Sequence, residues 1–247
     1  MQNIRLSISG TYSAGKTSTA LALSHLTGIP KTLALTIREI MPAAVPGKAL
    51  SEVTPAEYLQ LAMRRHTGRA AAEAALSATS GGFISDGSSL QEWIYGAARV
   101  HYGMDPSATT GLDPVEESDL SDEMRFFGAV VEQFGVAMRQ HVAVSFDAFV
   151  HLENERAIAA DGHRPMNEGF RRFCDDMLIA TVQDLGIVTH RVSGTMQSRL
   201  EQIVSLFGLP TVMSVDEAIA AAGIDYSAID KRLETERSRA TAPVLTR

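Results

Sequence analysis

The chain has 247 residues, of which 22 are basic and 29 acidic, giving a net charge of −7. This acidic balance disfavours a role in coating nucleic acid and favours small molecules as partners. The single cysteine, Cys174, excludes an intrachain disulfide. Apolar runs are too short to span a bilayer, and the first predicted strand starts too early to leave room for a signal peptide. We therefore expect a cytoplasmic protein without a membrane or nucleic-acid partner.

The first predicted elements are a strand, a loop and a helix. Residues 4–8 alternate like a strand, and residues 18–26 have the composition of a helix. Between them, residues 10–17 are GTYSAGKT, which matches the G-x-x-x-x-G-K-T pattern of a phosphate-binding loop in the strand–loop–helix context that this motif requires. The pattern predicts a nucleotide phosphate site, and the alternative is a glycine-rich turn without a ligand.

The residue types of this loop suit ATP and Mg²⁺ as cofactors. Gly10 and Gly15 let successive backbone N–H groups converge on phosphates, and the following helix adds the positive end of its dipole. Lys16 would reach the β- and γ-phosphates, while the Thr17 hydroxyl would ligate Mg²⁺. The predicted nucleotide-binding residues of the loop are Gly10, Tyr12, Ser13, Ala14, Gly15, Lys16, Thr17 and Ser18.

Downstream, predicted strands alternate with predicted helices. The further strands are expected at 31–37, 81–86, within 142–152 and at 187–192. The further helices are expected at 55–77, where Thr54 and Glu57 form a capping box, and at 90–102, 124–140, 170–185 and 195–207. Residues 103–122 are rich in acidic residues, with Gly and Pro among them, and are predicted to be a loop or insertion. The alternation predicts an α/β P-loop NTPase fold, a parallel sheet with helices on both faces.

The end of the chain differs from this alternating pattern. Residues beyond 208 contain two short predicted helices, at 215–222 and 228–239, and a tail. We therefore predict a P-loop nucleotide-binding domain over residues 1–208 and a C-terminal helical extension over residues 209–247.

Asp86 is the second candidate site residue. It ends a predicted buried strand, which places its carboxylate at the edge of the sheet where open α/β folds bind ligands. There it could share Mg²⁺ with Thr17, contact a substrate, or accept a proton from a substrate hydroxyl. The simpler alternative is that Asp86 caps the helix beginning near Ser88.

Several arginines are candidates for contacts with phosphate or substrate. Arg164 lies in a polar segment between a strand and a helix, where small phosphotransferases carry a lid whose arginine neutralises the transferring group. Arg38 follows the second predicted strand and is a candidate substrate contact. For Arg65 and Arg69 we favour solvated positions, since Arg69 and Glu73 have the i,i+4 spacing of a helix-surface pair.

Missing motifs narrow the class of P-loop protein. The chain has neither an N-K-x-D guanine-reading segment nor a D-x-x-G switch, which disfavours a GTPase. The only suitable strand ends in Asp86-Gly87 rather than Asp-Glu, so the catalytic glutamate of motor-type ATPases is absent. A kinase acting on a nucleoside or other small molecule is favoured. The alternative is a regulatory nucleotide-binding ATPase with slow hydrolysis.

Five segments carry a family resemblance: GTYSAGKTST, TIREI, FISDGSSLQEWIYG, AADGHRP and VSGTMQSRLEQI. In this order they resemble the ribosylnicotinamide-kinase-like domain of bacterial bifunctional NAD-biosynthesis proteins and related small AAA-labelled P-loop proteins. The resemblance implies transfer of the ATP γ-phosphate to a hydroxyl of a nucleoside-like or other small acceptor, with Asp86 near that hydroxyl and Arg164 in the lid. It also implies that adenine lies near the turn at Gly194. Unlike that family, this chain lacks a glutamate at the end of the second strand, a few residues before Arg38. Its 103–122 insertion and C-terminal extension are candidates for an acceptor pocket or a homodimer contact.

Overall fold

A five-stranded parallel sheet forms the centre of the fold. The structure is a computed structural model that describes the backbone of residues 3–241 and the side chains of residues 3–237. The strand order is β2-β3-β1-β4-β5, so β1 and the loop that follows it are central. The strands are β1 (Arg5–Ser9), β2 (Lys31–Thr32), β3 (Phe83–Asp86), β4 (Ala148–Leu152) and β5 (Val188–Val192).

Helices cover both faces of the sheet. In chain order they are α1 (Lys16–Thr27), α2 (Ile37–Ala44), α3 (Pro55–Ser80), α4 (Leu90–Tyr102), α5 (Asp122–Ser145), α6 (Glu168–Asp184), α7 (Met196–Phe207), α8 (Val215–Ala228) and α9 (Glu234–Thr241). Neighbouring residues of β4 show the two layers, because Phe149 packs into a core with α2 to α6 and Val150 into a core with α1, α7 and α8. The predicted α/β fold with a parallel sheet and helices on both faces is confirmed. No helix among residues 3–241 is long and apolar enough to cross a membrane.

The second strand is shorter than predicted. A strand was expected over residues 31–37, but β2 ends at Thr32 and α2 begins at Ile37. The sequence signal for α2 is the capping box in which the Thr36 backbone N–H and hydroxyl both donate to the Glu39 carboxylate. As a result Arg38 lies on a helix rather than directly after a strand.

The strand predicted within residues 142–152 is likewise only partly formed. Residues 142–145 are the last turn of α5, and β4 begins at Ala148. The apolar residues of this turn suit a strand as well as a helix, but Val142 is completely buried on the face of α5 that packs into the core. Long-range packing therefore decides the structure of this segment.

The C-terminal region packs on the domain through α8. Ala218 and Ala222 of this helix are buried against the face of the sheet that carries α1. The backbone N–H of Val212 donates to Leu26 O at 2.8 Å, and Asp225 pairs with Lys31 at 3.0 Å. The predicted helix at 215–222 extends to Ala228, and the one at 228–239 begins only at Glu234.

Candidate functional site

The phosphate-binding loop connects β1 to α1 at the middle of the sheet. Gly10, Ser13 and Gly15 all have positive φ angles, of 130°, 65° and 96°. A Cβ on Gly10 would lie 2.9 Å from the Leu152 carbonyl oxygen, so only glycine fits there without a shift of the backbone. Gly15 directly precedes α1, whose N-terminus therefore points into the loop. This geometry suits an anion held by backbone N–H groups.

The side chains of the loop are held from several directions. Ala14 is buried, and the Tyr12 ring forms a three-ring cluster with Tyr95 and Phe170, where burial raises the pKa of Tyr12. Ser18 lies half-buried in the first turn of α1. Ala14 and Tyr12 thus pack the loop against the protein interior, and these contacts restrict the movement of the loop backbone.

Lys16 folds back over the loop and donates from Nζ to the Thr11 carbonyl oxygen at 2.7 Å. Burial lowers the pKa of the Lys16 ammonium to about 8, and the Asp86 carboxylate opposes that shift. The positive charges of three arginines lower it further, namely Arg164, Arg65 and Arg69. Four basic side chains, together with the Asp86 carboxylate, thus lie close enough to the loop to interact electrostatically with one another.

Thr17 and Asp86 meet at the edge of the sheet. Asp86 ends β3 and pairs in register with Ile8 of β1, which brings its carboxylate to the start of α1. The Thr17 hydroxyl donates to Asp86 Oδ2 at 2.6 Å. Asp86 does not cap α4, since that helix begins after Ser89 and the Leu90 backbone N–H is bound by Ser88 Oγ. The two adjacent oxygens are the ligand type that Mg²⁺ prefers.

Arg69 anchors the end of β3. It is only 2% exposed, and its Nη1 donates to the Asp86 carbonyl oxygen at 2.9 Å and to Ser85 Oγ at 3.1 Å. The expectation that Arg69 and Glu73 form a helix-surface pair is wrong, because both residues are buried. Glu73 instead accepts from Ser85 and pairs with His141 at 2.9 Å. Arg69 therefore helps fix the position of Asp86.

Arg65 is also an internal contact rather than a solvated residue. Its guanidinium pairs with Glu92 at 3.0 Å and donates to the Leu35 carbonyl oxygen at 3.1 Å. Glu92 is 2% exposed, and it also faces Arg69 at 3.7 Å. This cluster ties α3, α4 and the segment before α2 together beside the phosphate-binding loop.

Arg38 and Arg164 come together on one carboxylate. Arg38 donates to Asp161 Oδ2 at 2.6 Å, and Arg164 donates to the same oxygen at 2.7 Å. Arg38 also donates to the Lys231 carbonyl oxygen at 2.9 Å. Asp161 thus partly neutralises both arginines, and it holds them next to each other through one nitrogen of each guanidinium.

The segment between β4 and α6, residues 153–167, lies along the phosphate-binding loop. Thr11 Oγ1 donates to Asn154 Oδ1 at 2.8 Å, and the Ala159 backbone N–H donates to Ser13 Oγ at 3.1 Å. At its far end the Tyr12 hydroxyl donates to the Asn167 carbonyl oxygen at 3.3 Å. This segment, which we call the lid, is therefore held against the phosphate-binding loop at three positions.

The turn before α7 reaches the same region. Gly194 has a φ of 94°, and its backbone N–H donates to the Glu155 carboxylate at 2.8 Å. Glu155 in turn pairs with Arg199 of α7 at 2.8 Å. Sequence reasoning singled out neither Glu155 nor Arg199, because nothing in their local sequence distinguishes them from surface charges.

Comparisons with known proteins show similar structures and a matching family profile. The structure of deoxyadenosine kinase from M. mycoides with bound dATP matches with a TM-score of 0.55 at 12% identity, covering 83% of this chain and 99% of that chain. The same kinase with bound dCTP matches with a TM-score of 0.52 at 13% identity, covering 83% and 99% of the two chains. At this identity the likeness concerns the fold. A search of curated proteins finds no match.

The sequence itself matches a family profile described as an AAA domain, over residues 5–199. This range begins at β1 and ends in α7, so it contains the phosphate-binding loop, Asp86, the lid and the Gly194 turn. Because the match extends over most of the chain, the protein belongs to this AAA domain family of P-loop proteins.

Proposed function

We propose that the protein is an ATP-dependent phosphotransferase that moves the γ-phosphate to a hydroxyl of a nucleoside-like or other small molecule. The observation that carries the proposal is the contact between Thr17 and Asp86 at 2.6 Å, directly beside the phosphate-binding loop. A metal-binding hydroxyl and a strand-end carboxylate are thereby adjacent at the place where the γ-phosphate would be transferred.

Each candidate residue has a role in this proposal. The loop, from Gly10 to Ser18, would bind the phosphates, with Lys16 as the mobile positive charge. Asp86 would orient the acceptor hydroxyl and receive its proton. Arg164 would release Asp161 when the lid closes and neutralise the charge of the transferring group. Arg38, which shares Asp161 with Arg164, would contact the substrate.

Thr17 and Asp86 are also the proposed magnesium residues, Thr17 as a direct ligand and Asp86 through a water bound to the ion. Their oxygens fit a hard divalent cation that keeps most of its own water. Bound there, Mg²⁺ would neutralise charge on the ATP phosphates.

Two lines of support favour a nucleoside-like acceptor. The fold is similar to that of a deoxyadenosine kinase structure, and the five segments from GTYSAGKTST to VSGTMQSRLEQI resemble the ribosylnicotinamide-kinase-like domain. Adenine of ATP would then lie near Gly194. The glutamate that the resembled family has a few residues before Arg38 is absent here, so the proposal does not carry that family's substrate over to this chain.

An acceptor screen tests the proposal. Nucleosides, vitamins and small alcohols are each incubated with the protein, Mg²⁺ and ATP, and ADP release is measured with and without the acceptor. We expect at least one nucleoside-like compound to raise ADP release above the basal rate. Steady basal hydrolysis that no acceptor changes would instead support a regulatory ATPase with slow hydrolysis.

A further inference from the structure

A buried arginine lies directly beside the phosphate-binding loop. Arg199 of α7 is only 2% exposed, and its Nη1 donates to the Ala14 carbonyl oxygen at 2.8 Å. A Cβ added to Gly15 would lie 3.1 Å from the same nitrogen, so the guanidinium fills the space next to this glycine. Its Nε has no hydrogen-bond partner among the described residues. Burying a cation costs free energy unless the cation is paired, so a buried guanidinium requires an acidic partner.

The pairing partner comes from a different element. Arg199 Nη2 donates to Glu155 Oε2 at 2.8 Å, and Glu155 lies at the start of the lid. The Gly194 backbone N–H donates to both oxygens of the same carboxylate, at 2.8 Å to Oε2 and 3.0 Å to Oε1. The hydrogen bonds from Arg199 and from Gly194 hold the pKa of Glu155 below its usual value. One ion pair thus joins α7, the lid and the turn before α7.

The start of the lid has further contacts with the loop on the same side. Asn154 accepts from the Thr11 hydroxyl at 2.8 Å, next to Glu155 in sequence. A shift of the lid at this point would therefore pull on the loop both directly, through Thr11, and indirectly, through Arg199 and Ala14. The loop backbone that would hold the phosphates and the start of the lid are mechanically linked.

We propose that Arg199 and Glu155 are positioning residues that couple nucleotide binding at the loop to the position of the lid. Arg199 fixes the loop at Ala14, and Glu155 fixes the lid and the Gly194 turn to Arg199. The proposal rests on the proposed function in taking these three elements as the ones that surround ATP. It predicts that a change at either residue alters ATP affinity and lid order together.

The first test is a double-mutant cycle read by calorimetry with Mg·ATP alone. Glu155→Gln removes the charge, and Arg199→Lys keeps the charge but loses the planar fork whose two nitrogens reach Ala14 and Glu155 separately. We expect each variant to weaken ATP binding about fivefold or more. The double variant should bind ATP no more weakly than the weaker-binding single variant, because both changes break the same ion pair. Glu201→Gln, an exposed change on the same helix, is the matched control and should leave affinity unchanged.

Thermal unfolding without nucleotide separates positioning from a structural role. Because Glu155 is itself exposed and the amide oxygen of Gln can still accept from the buried Arg199, Glu155→Gln should shift the melting temperature by no more than about 2 °C. A large loss of stability with unchanged ATP affinity would overturn the proposal. If Arg199→Lys fails to fold, Glu155→Gln still provides the test.

Hydrogen exchange provides the direct readout of coupling. In the parent protein, saturating Mg·ATP should protect both the loop and residues 153–160. In Glu155→Gln at saturating ATP, the loop should remain protected and the lid segment should lose most of its protection. Equal protection of the lid in the two proteins, or additive effects in the cycle, would contradict the proposal. Neither readout needs an acceptor, so failure of the coupling and failure of the phosphotransferase function give different results.

Discussion

Lys16 and Asp86 have separable contributions at the scale of single residues. Lys16 lies over the loop and donates to a backbone carbonyl of the loop itself, whereas Asp86 approaches from a neighbouring strand and binds the Thr17 hydroxyl. The first position suits binding of phosphates, and the second suits the chemistry of transfer. A substitution at each residue should therefore affect a different measured quantity.

Replacing Lys16 with Ala should abolish ATP binding. The variant removes the ammonium that would contact the β- and γ-phosphates, and a charge-assisted hydrogen bond of this kind is about twice as strong as a neutral one. Calorimetry with Mg·ATP measures the effect. Lys48→Ala is the control. It breaks the ion pair in which Lys48 Nζ and Glu57 Oε1 are 2.7 Å apart, and this variant should bind ATP like the parent. ATP binding by the Lys16 variant at parental affinity would show that the loop assignment is wrong.

Asp86→Asn should separate catalysis from binding. Asn keeps the shape and an oxygen that can accept from Thr17, but it loses the charge that would receive a proton. ATP affinity should stay within a few-fold, while phosphoryl transfer should fall by roughly 10²-fold or more, since positioned acid–base groups contribute about 10² to 10⁴. Turnover with any acceptor found in the screen provides the measurement. Near-parental turnover would remove Asp86 from the catalytic step.

The sequence could predict Lys16 and Asp86 as site residues, but it could not predict the buried residues that hold Asp86 in place. The loop motif and a strand-end aspartate are local patterns, and the register of β1 with β3 brings them together. Arg69 and Glu73 were misassigned, because their partners Glu92 and His141 come from α4 and α5. Helical spacing gives no information on contacts of this range.

At the scale of elements, the lid is connected to the C-terminal helix. Glu234, at the start of α9, pairs with His163 of the lid at 2.9 Å and accepts the Leu50 backbone N–H at 2.9 Å. Asp161 of the lid binds Arg38 of α2. The lid thus has attachments to α2 and α9 in addition to its contacts with the phosphate-binding loop.

Glu234→Gln should lower stability in a pH-dependent way. Burial raises the pKa of Glu234, but hydrogen bonds, that from His163 foremost, outweigh it and lower the pKa to about 2. A carboxylate with a depressed pKa stabilises the fold above its unfolded value and loses that contribution as pH falls toward 2. At pH 6 the variant should be less stable by about 1 to 2 kcal/mol. The difference should shrink as the pH is lowered to 3.

Denaturant unfolding at several pH values checks this expectation. Glu236→Gln, on an exposed position of the same helix, is the control and should match the parent throughout. A stability difference that stays constant between pH 6 and pH 3 would show that the charge of Glu234 is not responsible.

The elements that the sequence predicted poorly are those decided by competing signals. Residues 31–37 have a strand-like composition, yet the capping box of Thr36 and Glu39 starts a helix within that range. Residues 142–145 extend α5 because the helical conformation buries Val142 in the core. The helices at 55–80 and 90–102 were easier to predict, since a capping box or a continuous apolar face defines each of them.

At the scale of the whole molecule, α8 completes one layer of the fold. It covers α1, the helix that begins at the phosphate-binding loop, and buries Ala218 completely. The strand alternation that predicted the sheet gives no indication of this packing. The position of α1, and through it the loop, therefore depends on residues beyond the predicted boundary at 208.

Ala218→Asp should destabilise the entire protein. It places an unpartnered carboxylate in the core between α8 and α1, and a buried unpaired charge is expected to cost about 3 kcal/mol or more. Ala220→Asp, on the exposed side of the same helix, should have little effect. Denaturant unfolding of the two variants measures the difference. Equal stability of both variants would mean that α8 does not pack on α1 in solution.

The fate of the γ-phosphate is the most direct test of the proposed function. ATP labelled in its γ-phosphate is incubated with the protein, Mg²⁺ and the best acceptor of the screen, and the label is followed into products by mass spectrometry. The account predicts that the label appears on a hydroxyl of the acceptor in equal amount to the ADP formed, and that Lys16→Ala forms neither product. Label found only in inorganic phosphate, at a rate that no acceptor changes, would contradict it.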